Sequence, residues 1–154
     1  MTAPDVRPAR PADRNQLAAM RALLWPDAPP EELASELDAA FSGAATSTLP
    51  VATFVACDAD GALLGFIEAG LRSHADGCDT THPVGFIEGW FVHEHARNRG
   101  IGRALVRAAE DWARTQGCRE MASDTWIDHE PSQRAHQALG FEIVDRCIHF
   151  RKRL

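Results

Sequence analysis

Between Glu88 and Leu105 the chain reads EGWFVHEHARNRGIGRAL: an apolar, strand-like run, a short polar connection, then Arg97-x-x-Gly100-x-Gly102 opening a helix. Glycines let the backbone come close to a bulky anion, and the unpaired N–H groups of a helix N-terminus point at it. Arg97, Arg99 and Arg103 add positive charge, so the natural guest is a diphosphate. A P-loop would need GxxxxGK followed by Ser or Thr, which this sequence lacks. A dinucleotide fingerprint would need a third glycine where Leu105 stands and an acidic residue on a following strand.

Just before this loop lies a carboxylate. Strand alternation puts Val84, Phe86, Glu88, Trp90 and Val92 on one face. Desolvation among apolar neighbours makes a carboxylate a better proton acceptor, which suits Glu88 as a base. The alternative is an edge-strand glutamate facing water. Asp124 ends a later strand, where sheets with crossover helices tend to bind ligands, or else it caps a turn. His93 and His95 lack a nearby third ligand, so no metal is expected. Arg151, Lys152 and Arg153 read as a solvated strand end.

These residues need a scaffold. Val6 and its neighbours suggest a short opening strand. Leu17, Met20, Leu23 and Leu24 recur at helical spacing from Asp13 to Trp25, until Pro26 ends the pattern. Pro29 and Pro30 launch a second helix with Leu33, Leu37 and Phe41 on one side, and Ser42–Thr48 reads as a loop. Strands follow over Val51–Cys57 and Leu63–Ala69, joined by the turn cluster Asp58–Gly61. After a loop from Ser73 to Pro83 comes a strand over Val84–Val92. The main helix spans Gly100–Gln116, with Ile101, Leu105, Ala108 and Trp112 as its apolar stripe and Gly117 as its stop. Cys118–Asp124 reads as a strand, Pro131–Leu139 as a helix closed by Gly140, and Phe141–Arg151 as one or two final strands. The order β-α-α-β-β-β-α-β-α-β-β predicts a single α+β domain over residues 1–154. Its sheet is mostly antiparallel, with one parallel crossover through the long helix.

Length and composition agree. One domain accommodates 154 residues with 45% hydrophobic and 25% charged content. The formal net charge of −6 disfavours a nucleic-acid backbone and suits a cationic partner. There is no apolar run of membrane-spanning length, and MTAPDVRPARPADRN lacks the apolar core of a signal peptide. Cys57, Cys78, Cys118 and Cys147 are scattered, as in a reduced cytoplasmic protein. Tyrosine is absent altogether.

A strand, the pattern Arg97-x-x-Gly100-x-Gly102 and a main helix, in that order, resemble the coenzyme loop of GNAT superfamily N-acetyltransferases. His136-Gln-Ala-Leu-Gly-Phe141 is similar to that superfamily's late YxxxGF segment. Trp25, the segment Gly85-Phe-Ile-Glu88-Gly89 and Arg119-Glu-Met-Ala-Ser-Asp124-Thr resemble one branch, the aminoglycoside 6′-N-acetyltransferases, and the likeness runs from Val6 to Arg153.

The resemblance implies a GNAT fold, acetyl-CoA as cosubstrate without metal, and transfer to the 6′-amine of an aminoglycoside by direct attack. It assigns the coenzyme diphosphate to Arg97, Asn98, Arg99, Gly100, Ile101, Gly102 and Arg103. The pantetheine arm and acetyl carbonyl fall to the strand end Trp90, Phe91 and Val92. It places Trp25, Glu88, Asp124 and Asp145 around the acceptor. His136 stands where many members carry a tyrosine that protonates the departing thiolate; an imidazole can do the same, or simply fill the core. Two departures stand out: Ala75 where the branch often has a loop tyrosine, and His129 where it often has an asparagine against the coenzyme. A homodimer is a further expectation. Rival readings are an acetyltransferase for polyamines or protein N-termini, and a non-catalytic acyl-CoA sensor.

Overall fold

The computed structural model describes residues 3–44 and 49–154. Strand β1 (Asp5–Pro8) leads through a short 3-10 turn into α1 (Arg14–Leu24) and then α2 (Pro30–Ser42). The loop expected over Ser42–Thr48 lies partly outside the described residues. β2 (Val51–Cys57), β3 (Leu63–Arg72) and β4 (Val84–Val92) follow, then α3 (Ile101–Thr115), β5 (Met121–Ser123) and α4 (Glu130–Ala138). The sheet order is β1-β2-β3-β4-β5, antiparallel except for the β4–β5 pair, which α3 connects as a parallel crossover.

The sheet is covered on both faces, which is why its central strands read as nearly continuous apolar runs. One face packs Ile67, Ala69 and Ile87 against Ile101, Leu105, Val106 and Ala109 of α3. The other packs Val55, Leu63 and Phe66 against Leu17 and Met20 of α1 and Leu37 of α2. The buried stripe of α3 runs Ile101, Leu105, Ala109, Ala113, so Ala109 and Ala113 replace the expected Ala108 and Trp112. Steps of four keep a stripe in line along the helix, and Trp112 packs only at its margin.

A bulge in the β3–β4 ladder corrects the strand reading. Glu68 pairs with Gly89 and Ala69 with Ile87, leaving Glu88 as the extra residue. Alternation therefore resets at this point. Trp90 and Val92 join Ile87 on the α3 side, while Phe91 packs with the α1 cluster. Glu88 does not share a face with Trp90 and Val92.

The second correction concerns the C-terminus. The strand expected over Cys118–Asp124 shrinks to three residues, and Phe141–Arg151 forms no strand. Residues 142–154 are all exposed, with Ile148 at 73% and Phe150 at 92%. The segment is strand-like in composition, yet among the described residues no strand pairs with it, and a lone strand has no partner for its backbone groups.

Candidate active site

The loop between β4 and α3 has the geometry an anion needs. Gly100 caps α3 with a left-handed φ of 78°, and Asn98 is the only non-glycine with positive φ among the described residues, at 60°. The first intrahelical bond runs from the Ala104 amide to the Gly100 carbonyl, so the amides of Ile101, Gly102 and Arg103 precede the helical ladder. A Cβ on Gly102 would lie 3.0 Å from the Trp90 indole, so glycine allows the loop to sit down on β4. Arg97 faces inward as well as outward: its Nε donates to the Val92 carbonyl at 3.0 Å, tying the loop to the strand end.

On the opposite face of β4 the bulge projects Glu88. Its carboxylate is 42% exposed and is held by Arg72 at the end of β3, with N–O distances from 2.9 to 3.2 Å. The environment is an ion pair open to water, not the apolar surroundings that alternation implies. Beside it, Trp25 caps α1 and lies over Gly89, where a Cβ would be 2.7 Å from the indole. Only a residue without a side chain permits that approach. Trp25 also meets Phe66 edge-on at 6.4 Å.

Asp124 follows Ser123, the last residue of β5, which pairs with Ile87; the two acids thus continue adjacent parallel strands at the same level. Asp124 is exposed. Ala75, in the β3–β4 loop, is buried with Val84 and Phe86. Asp145 lies in the exposed tail and accepts a hydrogen bond from the amide of its neighbour Arg146 at 2.7 Å. No contact gathers Asp145 with Glu88 or Asp124. His129 caps α4 at the surface, its amide bonded to the Trp126 carbonyl.

His136 occupies the α3 side, meeting Trp90 edge-on at 5.3 Å and Phe141 at 5.4 Å. Its Nδ1 lies 2.7 Å from the Ser132 carbonyl, which can only accept, so Nδ1 carries the proton. In the neutral ring Nε2 then accepts from the Ser123 hydroxyl at 2.9 Å. Acting as a proton donor would require the imidazolium.

Several residues here escaped the sequence reading. Arg21 of α1, 6% exposed, pairs with Glu68 of β3 and with Glu36 of α2, and its guanidinium lies 4.9 Å above the Trp25 ring. Burial pushes the Glu68 carboxyl up, with Arg21 opposing. Arg72 and Ser123 were missed as well. None has a local signature, because each acts through a partner many residues away. Burial also pushes the Cys57, Cys78 and Cys118 thiols up, so none is a ready thiolate. Among the described residues no cluster of three or more His, Cys, Asp or Glu could hold a metal, and no helix is long and apolar enough to cross a membrane.

Residues 17–141 match the model of the Acetyltransferase (GNAT) family. The chain belongs to that family. Within it, this GNAT domain is 42% identical to the aminoglycoside N(6′)-acetyltransferase type 1 of Stenotrophomonas maltophilia, covering 97% of this chain and 94% of the relative. It is equally identical to the Klebsiella aerogenes enzyme of the same name, over 99% of both chains. Among solved structures, AAC(6′)-Iy bound to the bisubstrate analogue CoA-S-monomethyl-acetylneamine superposes with a TM-score of 0.86 at 36% identity, covering 99% of this chain and 100% of the other. AAC(6′)-Ih from Acinetobacter baumannii superposes at 0.84 with 31% identity, over 99% of each chain.

The GNAT loop here fits the coenzyme: the Gly100–Gly102 cradle, the amides ahead of the α3 ladder and the Arg99 and Arg103 side chains suit its diphosphate. The buried indole N–H of Trp90 beside Gly102 has no partner and adds an unspent donor at the cradle floor.

Proposed function

We propose that this GNAT enzyme transfers the acetyl group of acetyl-CoA to the 6′-amine of aminoglycosides, an antibiotic-resistance activity, by direct attack within a ternary complex. One observation carries the reading: β4 separates a basic glycine loop at its end from a carboxylate bulged onto its other face beside an aromatic wall. A diphosphate-bearing donor and a cationic acceptor thus approach the same strand from different sides. The full-length relatives named for this activity support the acceptor class.

Acetyl transfer needs a bound thioester, a neutral amine beside it and donors for the carbonyl oxygen as charge develops. Asn98 to Arg103 hold the diphosphate, and Trp90, Phe91 and Val92 offer backbone donors to the acyl arm. Trp25 forms the sugar-facing wall, and Glu88 and Asp124 bind ammonium groups by charge-assisted hydrogen bonds. Glu88, directly or through water, takes the proton the amine gives up as its C–N bond forms and the C–S bond breaks. His136, as imidazolium, protonates the leaving thiolate. His129 contacts the coenzyme from the start of α4, and Ala75, standing where the branch often has a tyrosine, leaves the acceptor side less crowded. No acetyl-enzyme is needed, so the cysteines are dispensable. A cytoplasmic location is supported by the dependence on acetyl-CoA and by the four free cysteines, which a reducing compartment keeps as thiols.

The enzyme works as a homodimer. The unpaired segment 142–154, with Ile143, Val144, Ile148 and Phe150 exposed, complements the open outer edge of β5 in a second copy. That pairing brings Asp145 of one copy toward an acceptor site. Light scattering should give twice the chain mass, and truncation after Phe141 should give the monomer.

The test of function is mass spectrometry of kanamycin after incubation with acetyl-CoA, with the acetylated nitrogen located by NMR. One acetyl on the 6′-nitrogen supports the reading. A preference for spermidine or a peptide amine by orders of magnitude in kcat/KM would replace the acceptor. Tight acetyl-CoA binding without turnover would make the protein a sensor.

A further inference from the structure

Arg72 and Glu88 meet across the β3–β4 ladder on the face that also carries Trp25. The guanidinium donates from Nε and Nη2 to Oε1 at 3.2 and 3.1 Å, and from Nη2 to Oε2 at 2.9 Å. It also stacks on Phe86, 3.4 Å from the ring centroid. A carboxylate offers about four lone-pair sites, and Arg72 engages three. An arriving ammonium therefore finds most of Glu88 taken by a cation of the protein itself.

Arg72 is suited to give way. Both side chains are more than two-fifths exposed, so the pair is screened and weak. The guanidinium already lies on Phe86, and an aromatic face holds a cation without any carboxylate, so that contact survives the loss of Glu88. By contrast the Arg21–Glu68 pair next to it is buried beneath Trp25 and cannot be displaced without breaking the core. The two arginines of this face thus divide into one that is structural and one that is exchangeable.

We propose that Arg72 is an internal counter-ion standing in the position of the acceptor's ammonium, so that acceptor binding is an exchange of cations on Glu88. The inference rests on the reading of Glu88 as the acceptor carboxylate. Before binding, Arg72 keeps Glu88 from facing the site as a bare charge. On binding, the substrate nitrogen takes its place on Glu88 while Arg72 keeps its stacking on Phe86. Arg72 sets how strongly an acceptor must bind, and it has no contact with the acetyl group.

Steady-state kinetics of the wild type, Arg72→Gln, Arg72→Lys, Glu88→Gln and the double variant test this, with tobramycin and acetyl-CoA varied in turn. Arg72→Gln should lower the tobramycin KM about two- to five-fold, the range an exposed pair spans. The acetyl-CoA KM should be unchanged and kcat should stay within about two-fold. Arg72→Lys, which keeps a cation, should stay near wild type. In the Glu88→Gln background the Arg72 effect should vanish, because the shared partner is gone. A tobramycin KM unchanged or raised in Arg72→Gln, or the same fall without Glu88, overturns the exchange while leaving Glu88 as the acceptor carboxylate. Glu88→Gln with wild-type kcat/KM overturns the underlying reading and the exchange with it.

Discussion

The indole of Trp25 lies over the backbone of Gly89 so closely that an added Cβ would sit 2.7 Å from one ring carbon and 2.8 Å from the next, with Leu24 3.2 Å away. The end of α1 and the β4 bulge therefore position each other, and with them Trp25 and Glu88, the proposed wall and carboxylate of the acceptor side. Gly89→Ala should displace the indole and cost about 1–3 kcal/mol, the range of core overpacking. The acceptor KM should rise with the coenzyme KM unchanged, and indole emission should shift. Wild-type melting and kinetics would show that Trp25 is free to sit elsewhere.

The glycines at the two ends of α3 separate conformation from function. Gly100 has φ 78° and Gly117 φ 86°, and a Cβ added at either would meet no atom within 4 Å. Alanine at either should cost about 1–2 kcal/mol through left-handed backbone strain alone. Only Gly100→Ala should also raise the acetyl-CoA KM, because only it lies in the proposed diphosphate cradle. Thermal melts paired with coenzyme titrations check this; an equal KM effect at Gly117 would mean that helix stability, not the cradle, governs coenzyme binding.

His136 is held at both ring nitrogens, by the Ser132 carbonyl and the Ser123 hydroxyl. Donation from Nε2 to the thiolate would cost it the hydrogen bond it accepts from Ser123. Replacement by Asn should lower kcat less than about ten-fold, since a thiolate leaves with little help. Melting should drop with the lost hydrogen bonds and ring contacts. The size of the kcat change decides the role: a loss of more than about a hundred-fold would make His136 indispensable as the acid.

Asp13 gives a pH signature to folding. Arg7 donates to both its carboxylate oxygens at 2.7 and 2.9 Å, and the Arg10 amide donates at 2.7 Å. The Arg7 hydrogen bonds, helped by the Arg10 amide, hold this carboxyl below the usual carboxylate range despite its burial. A depressed folded pKa contributes stability that is complete above the unfolded value of about 3.9 and is lost as pH falls through the folded value. Asp13→Asn should thus cost about 2 kcal/mol at pH 7, typical of hydrogen bonds to a charged group, and the gap should close in strong acid. Urea midpoints at pH 7, 4 and 2 measure it; a constant gap would mean that the carboxylate charge is irrelevant.

The loop around Gly100 and the elements that flank it are legible residue by residue because their causes are local. Glycine permits positive φ, Pro26 and Gly117 stop helices, and steps of three and four mark a buried helical face. The same is true of the β2–β3 hairpin, whose turn cluster and flanking apolar strands lie within one short stretch. Composition could suggest a strand at Ile143–Phe150, but strands exist only as pairs, and no neighbour in sequence supplies the partner.

Residue types and spacing pointed to the family and nominated the donor loop and Glu88. Folding alone set what Glu88 faces. One extra residue at the bulge turns Glu88 away from Trp90 and toward Arg72, and a register shift of one is invisible to any count of apolar and polar positions. The pairing of Arg21 with Glu68, 47 residues on, and the bond from Ser123 to His136 have the same origin. Cross-strand and helix-to-sheet contacts depend on how whole elements dock, whereas caps, turns and glycine loops depend on a few adjacent residues.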